Sequence, residues 1–268
     1  MPGDVPPAPP MDPAAGGAGS WSGPYLKARA LEKRLYSDQL VARLPEIPNA
    51  HPLAAEWRLR ADSARRLVRY LGRLPRPLRV VEVGCGNGWL ARAIAGIGES
   101  EVVGLDGNEL ELSQAARIFG SVPNLRFVLG DATVAACPLD RPTALILASF
   151  IQYVPDLPAM ITRLLGWLEP GGELHILDSP IYSADDIAGA RERSRAHYER
   201  LGAPEMAALY HHHAWAELDG FEVDVLYRPD AAMVRLERRL LRRPRAPFPW
   251  IRIRAADHRA ADRRTAGR

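Results

Sequence analysis

The chain has 268 residues, 47% of them apolar and 25% charged, with a formal net charge of +3. That length holds one sizeable domain with appendages, and the balance is that of a globular protein, not of a disordered or fibrous one. Two cysteines, Cys85 and Cys137, do not make a disulfide framework, and no apolar run nears the roughly 18 residues of a membrane-spanning helix, so a disulfide-stapled secreted domain and a helical membrane protein are both disfavoured and the cytoplasm is the expected compartment.

Residues 1–23 are largely Pro, Gly and Ala, with neither the basic start nor the apolar segment of a signal peptide, and are expected to be disordered. From Tyr25 to Leu44 the pattern turns helical, with Leu26, Leu31, Leu35, Leu40 and Val41 on a rough stripe and Pro45 and Pro48 ending it. A second helix is predicted over about 51–74; it carries Trp57, Leu59, Ala64, Leu67 and Leu71 and is closed by Gly72 and Pro75. Together these form a helical extension over 24–76. The rhythm then changes. Short apolar runs alternate with helical stretches in the order LRVVEV, LARAIAGI, EVVGLD, ELSQAARIF, NLRFVLG, TALILASF, LPAMITRLLGWL and GELHILD. Strands apolar on both faces and separated by helices mean an α/β fold with a parallel sheet covered on each side. Right-handed crossovers make that sheet doubly wound and Rossmann-like. Two later strands are expected at Phe221–Tyr227 and Phe248–Arg254, with a short helix over about 231–242 between them. The domain therefore runs over 77–254, and 255–268 is left as a basic, disordered tail.

The stretch VVEVGCGNGWLARAI, Val80–Ile94, sets Gly84, Gly86 and Gly88 between a strand and a helix. Three glycines in five residues cost backbone entropy, so the loop is expected to let something approach its backbone closely. A loop after the first strand of an open parallel sheet lies where such folds bind ligands, and the helix that follows offers free N–H groups to an anion. A dinucleotide fingerprint would require a third glycine at position 89, where Trp89 stands.

The pattern E-x-G-x-G-x-G from Glu82 to Gly88 resembles the first motif of class I S-adenosylmethionine (SAM)-dependent methyltransferases. Four further elements follow in the family's order: VVGLDGN, LGDAT, LASFIQYVPDL and LEPGGELHILD. The resemblance is close over Leu78–Asp178 and extends loosely to Arg254. It implies a seven-stranded sheet in the order 3-2-1-4-5-7-6, SAM as cofactor and S-adenosylhomocysteine as its product. By the same resemblance the cofactor residues are Glu82, Gly84, Cys85, Gly86 and Gly88 in the loop, Asp106 and Gly107 at the ribose, Asp131 and Ala132 at the adenine, and Ser149 and Phe150 along the methionine end. Asp106 and Asp131 also read as helix N-caps, a role compatible with binding.

Methyl transfer needs a nucleophile held in line and not always a base, so the sequence need not display a catalytic residue. Tyr153, Asp178, His211 and His213 are the candidates. The run His211–His213 does not suit a metal: adjacent residues diverge on a helix, and on a strand only His211 and His213 share a side. The run instead reads as the approach to a helix before strand six. No metal is expected. The N-terminal helices are expected to fold over the cofactor as a lid, bringing Trp57, Arg58 and Arg60 towards cofactor or substrate, or simply to pack on the sheet.

From Val225 onward the chain carries 13 arginines against four acids. Within it, AAMVRLERRLLRR places Met233, Leu236 and Leu240 on one helical face ringed by arginines, a pattern that suits covering the sheet, a partner or a peripheral membrane contact through 231–245. The sequence reading is a methyltransferase acting on an O, N or C nucleophile of a small-molecule acceptor. Its alternatives are an RNA methyltransferase using the Arg-rich end, an NAD(P)-dependent oxidoreductase, and a binding protein that keeps the fold without turnover.

Overall fold

The computed structural model describes residues 22–231, 234 and 245–255. Most of the predicted 231–242 helix, the membrane contact assigned to 231–245 and nearly all of the disordered ends expected at 1–23 and 255–268 lie outside the described residues.

Seven strands form one sheet in the order β3-β2-β1-β4-β5-β7-β6. They are β1 (Leu78–Val83), β2 (Ser100–Asp106), β3 (Leu125–Leu129), β4 (Ala144–Ala148), β5 (Glu173–Leu177), β6 (Val223–Tyr227) and β7 (Trp250–Arg254). The first five pair in parallel, and β7 enters antiparallel between β5 and β6. This is the predicted α/β class and the predicted order.

The strands are apolar on alternate residues towards two different layers. Leu78 and Val80 of β1 and Ala144 and Ile146 of β4 face one layer, while Val81, Val83, Leu145 and Leu147 face the other. The first layer holds α3 (Ala54–Leu71) and α4 (Trp89–Ala95); the second holds α6 (Leu157–Leu165). Between β2 and β3 runs α5 (Glu109–Phe119), capped by the Asn108 side chain, which accepts from Leu110 N and Glu111 N.

Towards β5 and β7 the α3 side turns polar. Glu173 accepts from the Tyr70 hydroxyl of α3 (2.9 and 3.0 Å) and from Arg252 Nη1 (3.0 Å), while Trp250 Nε1 donates to His175 Nδ1 (3.2 Å). Despite burial, the His175 ring, with Nε2 3.3 Å away, and the Tyr70 hydroxyl hold Glu173 below the usual carboxylate range. Further along α3, Arg66 lies over the Tyr227 ring at 3.8 Å and Asp62 pairs with Arg66 (2.7 Å) and Arg245 (3.0 Å). These contacts fix α3 across β5, β7 and β6.

Three expectations are corrected. The single helix expected over Tyr25–Leu44 is broken into α1 (Ser22–Leu31) and α2 (Asp38–Val41). Lys33 adopts φ 59° between them, Arg34 is drawn to Glu32 and Glu56, and Ser37 starts α2 by capping Leu40 N. The break leaves Leu31 and Leu35 of the supposed stripe exposed. A further helix, α7 (Ile187–Leu201), was not foreseen, because only Ala190 and Tyr198 of its fifteen residues are buried and it shows no apolar stripe. Finally, the histidine run does not lead into an α-helix before β6; it is irregular chain between two 3₁₀ turns, Pro204–Ala208 and Trp215–Leu218.

Gly88 caps α4 at φ 75°, and a Cβ there would sit 2.6 Å from the Phe127 ring and 2.9 Å from Ala115 Cβ. Gly171 has nearly the same φ, 77°, with nothing within 4 Å. Gly171→Ala should cost about 1 kcal/mol of backbone strain, whereas Gly88→Ala adds overpacking and should cost about 2–4 kcal/mol. Urea unfolding of the two variants measures the difference; equal losses would mean that the neighbours of Gly88 yield freely.

Candidate functional site

The carboxyl ends of β1, β2, β4 and β5 open into a cavity of about 960 Å³, roofed by α1 and flanked by α3 and α7. That volume lies at the upper end of the usual range for ligand sites.

The glycine loop forms one wall. Gly84 N and Cys85 N donate to Leu105 O, which ties the loop to β2, and Gly84 and Gly86 take φ of 74° and 51°. The reason for glycine differs along the loop. A Cβ on Gly84 would strike the Phe150 ring at 2.1 Å, and Gly88 lies under Phe127, away from the cavity lining. Only at Gly86 is the space open, with Glu111 Oε2 as nearest neighbour at 3.7 Å. Close approach of a ligand therefore does not explain all three glycines; two of them make room for the protein's own aromatic rings.

Asp106 ends β2 and grips this loop: Oδ2 accepts from Gly86 N and Oδ1 from Asn108 N, both at 2.7 Å. Burial, with the nearby Glu111 charge, pushes its pKa up to about 6. Glu82, beneath the loop, is 3% exposed; burial holds its pKa well above the usual range, one backbone hydrogen bond from Ala91 opposes that, and Oε2 has no partner.

Gly107, Asp131, Ala132, Ser149 and Phe150 also line the cavity. Asp131 Oδ1 accepts from the amide and hydroxyl of Thr133 at 2.8 and 2.7 Å and closes a turn with no helix after it, while α5 is capped by Asn108, so neither Asp131 nor Asp106 is the helix N-cap expected. Ser149 and Asp178, at the ends of neighbouring strands, both take φ of 53°, and Ser149 Oγ donates to Asp178 O. Two non-glycine residues in this conformation at one cavity wall store strain of the kind that collects at functional sites.

Of the catalytic candidates, Tyr153, Asp178 and His211 line the cavity and His213 does not. His213 is buried, with Nδ1 against Glu217 Oε2 and Nε2 donating to Ile151 O, both at 2.9 Å, so it holds the turn after β4 instead of reaching into the site. His211 keeps its imidazole in the cavity wall, and burial lowers its pKa. Asp178 accepts from Ser63 Oγ at 2.6 Å, and burial raises its pKa. Among the described residues no group of three or more His, Cys, Asp or Glu is placed to hold a metal ion.

The N-terminal extension does reach the site. Trp57 and Arg60 line the cavity, but Arg58 is exposed and points to Asn49. Sequence reasoning missed Tyr25 and Arg29 of α1, which meet Glu111 of α5 at 2.9 and 2.8 Å and fasten the roof beside Asp106. No local pattern marks these pairs, which lie more than 80 residues apart in the chain.

Comparisons with known proteins agree with this geometry. A methyltransferase-domain family matches residues 80–172. The trans-aconitate 2-methyltransferase of Variovorax paradoxus is 39% identical over 105 residues, covering 38% of this chain and 39% of that one. That of Methylobacterium radiotolerans is 31% identical over 131 residues, covering 46% and 49%. The chain thus spans less than half the length of these curated relatives. In fold it is similar to a putative methyltransferase from Bacillus halodurans, with TM-score 0.52 and 18% identity over 72% of this chain and 99% of the other. With a matched segment at 80–172, five motifs in order and the 3-2-1-4-5-7-6 sheet, the chain is similar to the class I methyltransferase-domain proteins over that segment.

Proposed function

We propose that the protein is a SAM-dependent methyltransferase acting on a small-molecule acceptor and releasing S-adenosylhomocysteine. The observation that carries this reading is the glycine loop clamped by Asp106 above a buried, half-satisfied Glu82. A buried carboxyl with an unspent oxygen suits an ammonium group. The methionine end of the cofactor carries one.

In this reading Glu82 and the backbone of Gly84, Cys85 and Gly86 hold the methionine end, and Gly88 sets the turn. Asp106 and Gly107 hold the ribose hydroxyls; Asp131 and the Ala132 N–H hold the adenine edge; Ser149 and Phe150 border the passage to the acceptor. When bound, SAM supplies an electrophilic methyl on a sulfonium. The chain's own task is to align the acceptor's O, N or C nucleophile and exclude water, which α1 does as a roof. His211, kept neutral by burial, and Asp178 stand where an acceptor proton can be taken; Tyr153 shapes the same wall. The curated relatives, named for trans-aconitate, support a small acceptor. Both cysteines are free, which suits a reducing, cytoplasmic setting, and among the described residues no helix is long and apolar enough to cross a membrane.

Calorimetric titration tests the cofactor. S-adenosylhomocysteine should bind wild type with micromolar affinity, of the order of 8 kcal/mol, and Asp106→Ala should weaken it at least tenfold while Asp178→Asn leaves it within a few fold. Failure of folded wild type to bind would overturn the proposal.

A pH series follows from Asp106. Its ionised form accepts ribose hydroxyls better, so affinity should rise from pH 5 to 7, being about tenfold weaker at pH 5 for a pKa near 6. Binding near pH 6 should release protons, detectable by comparing buffers of different ionisation enthalpy, and Asp106→Asn should flatten both effects. In the free protein the sign is opposite. A carboxyl whose folded pKa exceeds its unfolded value contributes most at low pH, and that contribution is lost as pH rises through 6.

A further inference from the structure

Beyond the Asp106 clamp, the cavity is walled by α1, α3, α7 and the chain after β5. Its fixed charges are unevenly spent. Glu32 accepts from Arg34 Nε (2.8 Å) and lies 3.1 Å from His197 Nε2; both oxygens of Glu56 are taken by Arg34, and one also by Arg60. Both oxygens of Glu111 are taken by Tyr25 and Arg29. Donors are left over. Among the described residues Arg193 makes no hydrogen bond or ion pair, and the Tyr182 hydroxyl makes no hydrogen bond, although both residues line the cavity.

The two lie on one side of the cavity, across His212: its ring is tilted on Tyr182 at 5.6 Å, and its Nε2 is 2.9 Å from Oγ of Ser194, the residue after Arg193. The Arg193 charge acts on the Tyr182 phenol, opposing the upward push of burial, and the phenol stays protonated and a donor at neutral pH. Tyr182 is also held in place, by backbone bonds to His213 O and from Trp215 N. Arg193 lies back along α7 over Gly189, where a Cβ would come within 3.2 Å of Nη1. Glycine at 189 leaves the guanidinium its place.

A planar guanidinium with a phenol hydroxyl on the same wall offers donors that the two oxygens of a carboxylate can accept. We infer that Arg193 and Tyr182 form a carboxylate-binding site for the acceptor, so that the substrate is a small carboxylic acid anchored at this wall. The inference rests on the methyl-transfer reading but not on which atom is methylated.

The test is calorimetry on protein saturated with S-adenosylhomocysteine, at low ionic strength. The probes are trans-aconitate, tricarballylate, benzoate and phenylacetate, each beside its neutral amide. At least one acid should bind, with its amide at least tenfold weaker. Arg193→Ala should weaken that acid at least tenfold and leave the amide unchanged; Arg193→Lys should recover part of the loss; Tyr182→Phe should cost several fold. Unchanged S-adenosylhomocysteine binding by each variant shows that it is folded and that the cofactor half is intact. Equal binding of acid and amide, an acid preference that survives Arg193→Ala, or no acid bound by cofactor-loaded protein would each overturn the carboxylate site. Absence of S-adenosylhomocysteine binding would instead remove the parent reading, and the acceptor site with it.

Discussion

The carboxylate of Asp106 carries the geometry of the glycine-loop side of the cavity. One oxygen fixes Gly86 in the loop after β1, and the other fixes the Asn108 amide at the start of α5. Without that double acceptance the loop would keep its bonds to Leu105 O and the internal bond from Gly88 N to Cys85 O, but the left-handed turn at Gly86 would lose the anchor that offsets its cost. Through Asn108 the same residue sets the first turn of α5, hence Glu111, hence the Tyr25 and Arg29 contacts that seat α1 over the cavity. An ionised group doing this while buried is expensive, and its raised pKa is the measure of that expense. The interaction suits a site meant to receive donors, because an incoming hydroxyl finds an acceptor that desolvation leaves wanting more bonds.

The opposite wall depends on α3, and α3 is held more by polar contacts than an ordinary covering helix. Its Ser63 meets Asp178 at the site, while Asp62, Arg66 and Tyr70 pair with groups reaching out to β6 and β7. Ordinary apolar packing would let the helix settle by small shifts in rotation. Directional bonds along its length remove that freedom, so Trp57, whose Nε1 donates to Tyr36 and whose ring meets Trp89 edge-on at 5.2 Å, stands at a defined place in the cavity wall. Precision in a binding site of this kind comes from the supporting residues behind the lining.

What the sequence made legible divides by the range of the interactions involved. The strands of the parallel sheet were readable because burial on both faces makes each a short continuous apolar run, and their order followed from the resemblance carried by local motifs. The glycine loop and the acids Asp106 and Asp131 were readable as a turn and strand-end acids because their chemistry is local, and the structure sets loop residues and both acids in one cavity wall. The break between α1 and α2 was not, because the periodic leucines continue across it and the competing force, Arg34 drawn to Glu56, comes from 22 residues away. Nor was α7, whose polar sequence is stabilised by docking on the 3₁₀ turn and α1 through Tyr198 and Met206. His213 looked like its neighbour His211 in the sequence, and only the fold turns one into the core and leaves the other in the cavity wall.

This division also explains where similarity to other proteins stops. The matched region, 80–172, contains all the residues proposed for the cofactor, whereas the cavity walls from α1, α3, α7 and the chain after β5 lie outside it. A cofactor of constant structure holds its contacts constant, and a strand-end acid or a glycine turn solves that problem with local sequence. An acceptor imposes no such shared demand, so its wall is built from segments that converge only in the folded chain. Lid and wall segments of this kind can change their charged residues without disturbing the sheet, since the sheet's core is already closed beneath them by β1, β4 and their covering helices. On the proposed reading, specificity therefore belongs to the unmatched parts of the chain, where Arg193 and Tyr182 lie.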